Sequence, residues 1–426
     1  MHKREMVKQR KNVGVTAKIM EPVPNSTPAQ QTVPSVPAQS KHNFFTKMAM
    51  EEVFYTLDEF DTEFPADSVE WCPTEPFRDI LVCGTYKLIE RKEGSKEEDA
   101  EENAKEEKCK RTGRIYLFRV ADGGKLQILQ RIDTSGVLDM KWTHTEDNRI
   151  LLAVVDSNGY LRVYELKEKE SETKLQLIAE ERIGDNDDDV IALSLDWSTG
   201  GCISCASHSN PRIAVSDSQG RISHFAWREN NQLIKDFTLP AHEFQAWIVA
   251  FDYCNDNIFY SGGDDNKFLT FDTRTGSVPV LCNRKHTSGV TSIRSNAIKP
   301  FLLATGSYDE ILRLWDKRNL KQPTSETNLN GGIWRLKWDP FAHQYLFAAC
   351  MYEGFKIVNC DNDVSTIGYY NKHCGLAYGC DWSLLKREDV SHLKISNGET
   401  LVSTCSYQDC ALKLSTLNFK IYDLES

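Results

Sequence analysis

The segment ATGSYDEILRLWD, residues 304–316, has a counterpart 44 residues upstream in YSGGDDNKFLTFD, residues 260–272. Each is an apolar run, a tight turn around an Asp, and a second alternating run that closes on an aromatic residue and an Asp. Asp265 and Asp309 take the same slot, and Phe271 and Trp315 follow them by six residues. A His stands nine residues before the end of a neighbouring apolar strand three times, at His242, His286 and His373. Aligning the chain on that strand end gives Trp71, Trp142, Trp197, Phe251, Ser295, Trp338 and Trp382, with final steps of 44, 43 and 44 residues. Self-similarity at this period means repeated units that bury their faces on one another.

Each unit divides into four short strands bounded by Gly, Asp, Asn and Ser. Seven such units predict an all-β fold, a seven-bladed β-propeller over residues 51–426. The early steps are longer because they carry insertions, one of them the charged loop ERKEGSKEEDAEENAKEEKCKR, residues 90–111, and another around residues 200–211. EEVFYTLDEF, residues 51–60, is expected to supply the outer strand of the last blade, so that the ring ends without an open sheet edge. Residues 1–50 are rich in Pro, Gln, Ser, Thr and basic residues and bury too little apolar surface to order themselves, so they read as a disordered tail. Met48 and Met50 sit at its end.

The net charge is -11, and the basic tail leaves the rest of the chain more acidic still. That balance argues against direct nucleic-acid binding. Thirteen Cys are scattered without a framework, which indicates a reduced, cytoplasmic protein. Cys202 and Cys205 form a lone CxxC without the second pair a zinc site needs. No apolar run approaches the length of a membrane span, and no signal peptide is visible. A monomer is the default expectation.

The repeats resemble the WD repeat. In that family a His, a Ser or Thr, the turn Asp and the Trp form a buried hydrogen-bonded set, which the resemblance places here at His286, Thr305, Asp309 and Trp315. The Trp slot holds Phe271 and Ser415 in two other blades. The strings ADSVEWCP (66–73), LVCGTYKL (81–88), LDMKW (138–142), ALSLDWSTG (192–200), AWIVAF (246–251), YSGGDD (260–265) and GGIWRLKWDPF (331–341) go beyond generic WD text. Together they resemble the WD-repeat family of the diphthamide pathway, the diphthine methyl ester hydrolases, also called diphthine methyltransferases. The similarity covers roughly residues 54 to 415; the last repeat departs from it by ending in LKLSTL.

The resemblance implies hydrolysis of a methyl ester on translation elongation factor two, from a substrate that also carries a trimethylammonium group. It implies no metal or organic cofactor. Ester hydrolysis needs an activated water or a nucleophile, plus donors for the oxyanion. The slot four residues before the strand end is expected at the channel mouth, and it holds Asp67, Leu138, Leu193, Trp247, Thr291, Trp334 and Tyr378. Aromatic faces bind quaternary ammonium groups. Asp67, Trp247, Trp334 and Tyr378 are therefore the candidate substrate-binding residues, although such aromatics could equally plug the channel. Tyr308 is added as a donor to the oxyanion or as packing. His242, His286 and Glu310 are the candidate catalytic residues, with the two histidines equally suited to the structural slot. A second reading stays open. WDxR at residues 315–318, with a near copy at 271–274, resembles the element by which WD proteins dock on a ubiquitin-ligase adaptor. That would make the chain a non-catalytic substrate receptor.

Overall fold

The computed structural model describes residues 53–418, except 90–110, 144–148, 171, 185–188, 201–210, 229, 362 and 396–399. The expected tail, nearly all of the charged insertion and Cys202 and Cys205 lie outside the described residues. What is described forms seven antiparallel sheets in a ring, a seven-bladed propeller. The seven inner strands are Ala66–Trp71, Val137–Trp142, Ala192–Trp197, Ala246–Phe251, Val290–Ser295, Arg335–Trp338 and Ala377–Trp382. They are almost wholly buried. Short, nearly continuous apolar runs such as AWIVAF suit that position, because each inner strand is covered by neighbours on both faces.

The blades are numbered here from one to seven in the order of these strands. Blade 7 takes its outer strand from the other end of the chain. Phe54–Asp61 pairs antiparallel with Ala411–Leu417, with Phe54 opposite Leu417 and Asp61 opposite Ala411. Ser415 stands buried at the slot that holds Phe271 in blade 4 and Trp315 in blade 5. Space near this seam is filled by Tyr370 of blade 6, whose ring lies 5.0 Å from Phe54 and whose hydroxyl lies 2.7 Å from Thr56 Oγ1. The departure of the last repeat therefore leaves the ring closed.

The apolar core is distributed among seven clusters, one between each pair of neighbouring blades. Indoles at the strand ends tie the blades together. Trp142, Trp197, Trp338 and Trp382 donate from Nε1 to the backbone carbonyls of Glu70, Lys141, Arg294 and Lys337 in the preceding blade, at 3.0–3.3 Å. Gly306 of the ATGSYD turn has no Cβ because Ile333 of the next blade occupies that space.

The expected set in blade 5 is present. His286 Nε2 lies 2.8 Å from Thr305 Oγ1, its Nδ1 lies 3.2 Å from Asp309 Oδ2, and Trp315 Nε1 donates to Thr305 Oγ1 at 2.9 Å. Arg313 adds a fifth member by donating to Asp309 at 2.8 Å. Thr305→Val keeps the shape but strands both the imidazole and the indole nitrogen in a dry site. We expect it to lower the unfolding free energy by about 2–4 kcal/mol, measured by urea titration.

Candidate active site at the aromatic mouth of the channel

The slot four residues before each strand end is a β-bulge. The ladder between inner and second strands slips by one residue at Asp67, Leu138, Leu193, Trp247, Thr291 and Tyr378. Trp334 stands just ahead of its strand, with its N–H bonded to Ala349. A bulge re-aims the side chain of the extra residue. Here it turns a row that would alternate with the ladder into a ring around the channel mouth.

A second set of residues, each one past the end of a second strand, joins the same mouth. The N–H groups of Tyr86, Ser157, Ser218, Asp264, Tyr308 and Tyr407 donate to carbonyls just ahead of the adjacent inner strand, which fixes them at equivalent places. Aromatic contacts then run without a break across five blades. Trp247 and Trp334 lie 5.7 Å apart between ring centroids, and Tyr308 lies 6.3 Å and 6.2 Å from them. Trp334 stacks on Tyr378 at 4.9 Å; Tyr378 meets Tyr407 at 5.4 Å, and Tyr407 meets Tyr86 at 6.3 Å. Trp247, Tyr308, Trp334, Tyr378 and Tyr407 are each partly exposed, so this wall faces an opening.

Two carboxylates flank the wall. Asp264 is exposed and accepts a hydrogen bond from Trp247 Nε1 at 3.2 Å. Asp67 is 3% exposed, and its Oδ2 has no hydrogen-bond partner among the described residues. Burial pushes its carboxyl up to about 7; Arg335 beneath it pulls the other way and Asp139 adds to the rise. Burial also raises the phenol of Tyr308, and the charges of Asp264 and Asp67 raise it further, so both acids act on that one ring. Asp67 acts in the same sense on Tyr378 and Tyr407.

Below the mouth the channel is filled with paired charge. Arg335 of blade 6 reaches Asp139 of blade 2 at 3.1 Å. One layer further, Lys141 bonds Asp139 at 2.6 Å and Glu70 at 3.1 Å, and Lys337 bonds Glu70 at 2.6 Å. Burial opposes the charge on Asp139, but Arg335 and Lys141 outweigh it and hold that carboxyl well below the usual range. The opposite mouth opens into a cavity of about 480 Å3 bordered by Glu70, Lys141, Arg294, Lys337 and Asp381.

The structure thus brings Asp67, Trp247, Tyr308, Trp334 and Tyr378 to one place and keeps the candidate bases out of it. His242 has Nδ1 2.8 Å from Asp265 Oδ1 and Nε2 2.8 Å from Ser261 Oγ, so both nitrogens are committed inside blade 4. His286 is committed in the same way in blade 5, and burial lowers its pKa. Glu310 occupies the left-handed position of its turn, with φ 67°, in the place that Gly159 and Gly220 take elsewhere. Arg318 of the WDxR element is engaged by Asp316, at 2.6 Å from Nη2, and stacks 4.4 Å over Phe301; Arg274 pairs with Asp272 likewise. Tyr86, Tyr407 and Asp264 were not expected at the mouth. The signal for them is the single position after each repeat's second strand.

Comparison with known proteins places this geometry in context. Residues 278–316 match the model of the WD domain, G-beta repeat. A chain in the crystal structure of the mitotic checkpoint complex overlays with a TM-score of 0.59 at 14% identity, covering 93% of this chain and 100% of that one, a likeness of fold. The protein is a WD-repeat β-propeller. A human diphthine methyltransferase is 40% identical over 345 residues, 78% of this chain and 75% of the relative. A Dictyostelium discoideum homolog is 33% identical over 389 residues, 83% and 96% of the two chains, and a Schizosaccharomyces pombe relative is 28% identical over 361 residues, 82% and 93%. The chain belongs to this diphthine methyltransferase family.

The state of Asp67 is testable through stability. Folding raises its pKa, so the folded protein binds more protons than the unfolded chain between about pH 4 and 7 and loses stability as pH rises through that window. Asp67→Asn removes the term. It should unfold at a higher temperature than wild type at about pH 8, by up to about 4 kcal/mol of stability, with the advantage gone near pH 4. Scanning calorimetry across pH measures it.

Proposed function

We propose that the protein hydrolyses the methyl ester of diphthine methyl ester on translation elongation factor two, releasing methanol and leaving diphthine, a late step of diphthamide biosynthesis in the cytoplasm. Family membership supports the pathway. The observation that carries the reading is the wall of Trp247, Trp334, Tyr378, Tyr308 and Tyr407 with acids on two sides. Such a surface suits a trimethylammonium group, which presents a diffuse positive charge and no hydrogen-bond donor, so ring faces and carboxylates attract it without a directed bond. A group of that size, borne on a protein, can enter a channel mouth that opens at the surface. The relatives' name speaks of methyl transfer; ester hydrolysis differs from it in releasing methanol and consuming no methyl donor.

Elongation factor two carrying the methyl ester should lose one methyl group, by peptide mass, when incubated with this protein alone, and methanol should appear. Trp334→Ala and Trp247→Ala should each lower kcat/KM by about 5- to 30-fold, as expected for removing one desolvated cation–π contact. Their far-ultraviolet spectra and cooperative unfolding should stay those of a folded propeller. Unchanged turnover in both would mean that the aromatics only plug the channel.

A further inference from the structure

We infer that Asp67 is the proton acceptor that activates the hydrolytic water. The inference rests on the reaction proposed above. Its starting point is a division of labour between the two acids on the wall. Asp264 is exposed and tied to the indole of Trp247, which suits a standing countercharge for the ammonium. Asp67 sits on the inner ring, buried, with an oxygen free of any hydrogen-bond partner among the described residues. Other buried side-chain atoms among the described residues also lack a partner; what distinguishes Asp67 Oδ2 is that it belongs to a carboxyl group on the ring beside the aromatic wall. Two carboxylates at one site, one exposed and one buried, are a recurrent basis for separate roles.

The groups that face Asp67 come from every neighbouring blade. Asp139 and Arg335 lie beneath it, from blades 2 and 6, and already pair with each other. Tyr308, Tyr378 and Tyr407 lie on the wall, from blades 5 and 7. No cation is therefore dedicated to Asp67, and desolvation keeps its proton affinity near neutrality, where a base both exists as the anion and binds a proton usefully.

The step balances without a further reagent. Asp67 takes a proton from water as the oxygen bonds to the ester carbonyl carbon, giving a tetrahedral oxyanion. Collapse of that oxyanion breaks the bond to methoxide, and the proton on Asp67 passes to it, so methanol leaves. The new carboxylic acid gives its proton to solvent.

The test measures methanol release from methyl-esterified elongation factor two by wild type, Asp67→Asn and Asp264→Asn between about pH 5.5 and 9. In wild type, kcat/KM should rise with pH and level off with an inflection near 7, which reports the free enzyme; kcat should inflect lower, because the bound ammonium favours the charged carboxylate. Asp67→Asn should lower kcat by about 100-fold or more, change KM less than about threefold and abolish the inflection. Asp264→Asn should raise KM and keep the inflection. An Asp67→Asn enzyme with kcat within about fivefold of wild type, or with the loss wholly in KM, overturns the assignment while leaving the hydrolase reading intact. A wild type that removes no methyl group from verified substrate overturns both.

Discussion

Every feature of this molecule depends on closing a ring of seven sheets, and one strand pairing closes it. Phe54–Asp61 lies hydrogen-bonded against Ala411–Leu417, so the two ends of the folded region share a blade. Once the ring is closed, position along an inner strand becomes height along an axis. Seven residues that are some 40–75 positions apart in the chain become one layer of a channel. Chemistry is then assembled by layers. The mouth is aromatic and partly open; the layers beneath it are ionic and dry.

The ionic layers show what burying charge demands. Glu70, Asp139, Lys141, Arg335 and Lys337 are each close to fully buried, and each finds an opposite charge within 3.1 Å. Pairs of this kind contribute little net stability, since their attraction mainly offsets desolvation, while removing one partner is severe. They do fix the rotation of one blade against another: Arg335 and Asp139 come from opposite sides of the ring. Against that background Asp67 stands out. It sits one layer above, close enough to Arg335 to feel its charge, yet the guanidinium is already taken by Asp139. The fold that satisfies these five buried charges leaves one carboxyl oxygen of Asp67 unsatisfied at the aromatic mouth.

The repeat period, the strand-end indoles, the closing strand and the blade 5 hydrogen-bonded set could be read from the residues. They follow from local pattern and period, which a one-dimensional sequence carries directly. The ring of Asp67, Trp247, Trp334 and Tyr378 could also be read, though its cause could not: alternation alone places Asp67, Trp247 and Tyr378 on a flank of the strand, and the bulges turn them to the axis. Tyr86, Tyr407 and Asp264 escaped because they are turn residues, outside the alternation that marks strands, and only their equivalent place in each repeat links them. The pairing of Arg335 with Asp139 escaped because the two are 196 positions apart and meet only across the closed channel. His242 and His286 drew attention as bases because imidazole is the commonest one; the structure shows both ring nitrogens of each already in use.

Product release completes the logic of an acid at this layer. On the hydrolase reading proposed above, the bound group before reaction is a cation beside a neutral ester, and Asp67, once ionised, would attract it. Hydrolysis would then turn the ester into a carboxylate within reach of that same acid. Two carboxylates sharing a desolvated site oppose one another's charge. The product is therefore held less tightly than the substrate, although the ammonium and the aromatic wall have not changed. Arg335 and Asp139 pair across the channel beneath the mouth, so on this reading substrate and product share that mouth. Repulsion that arises only after the bond is broken gives that two-way path a direction.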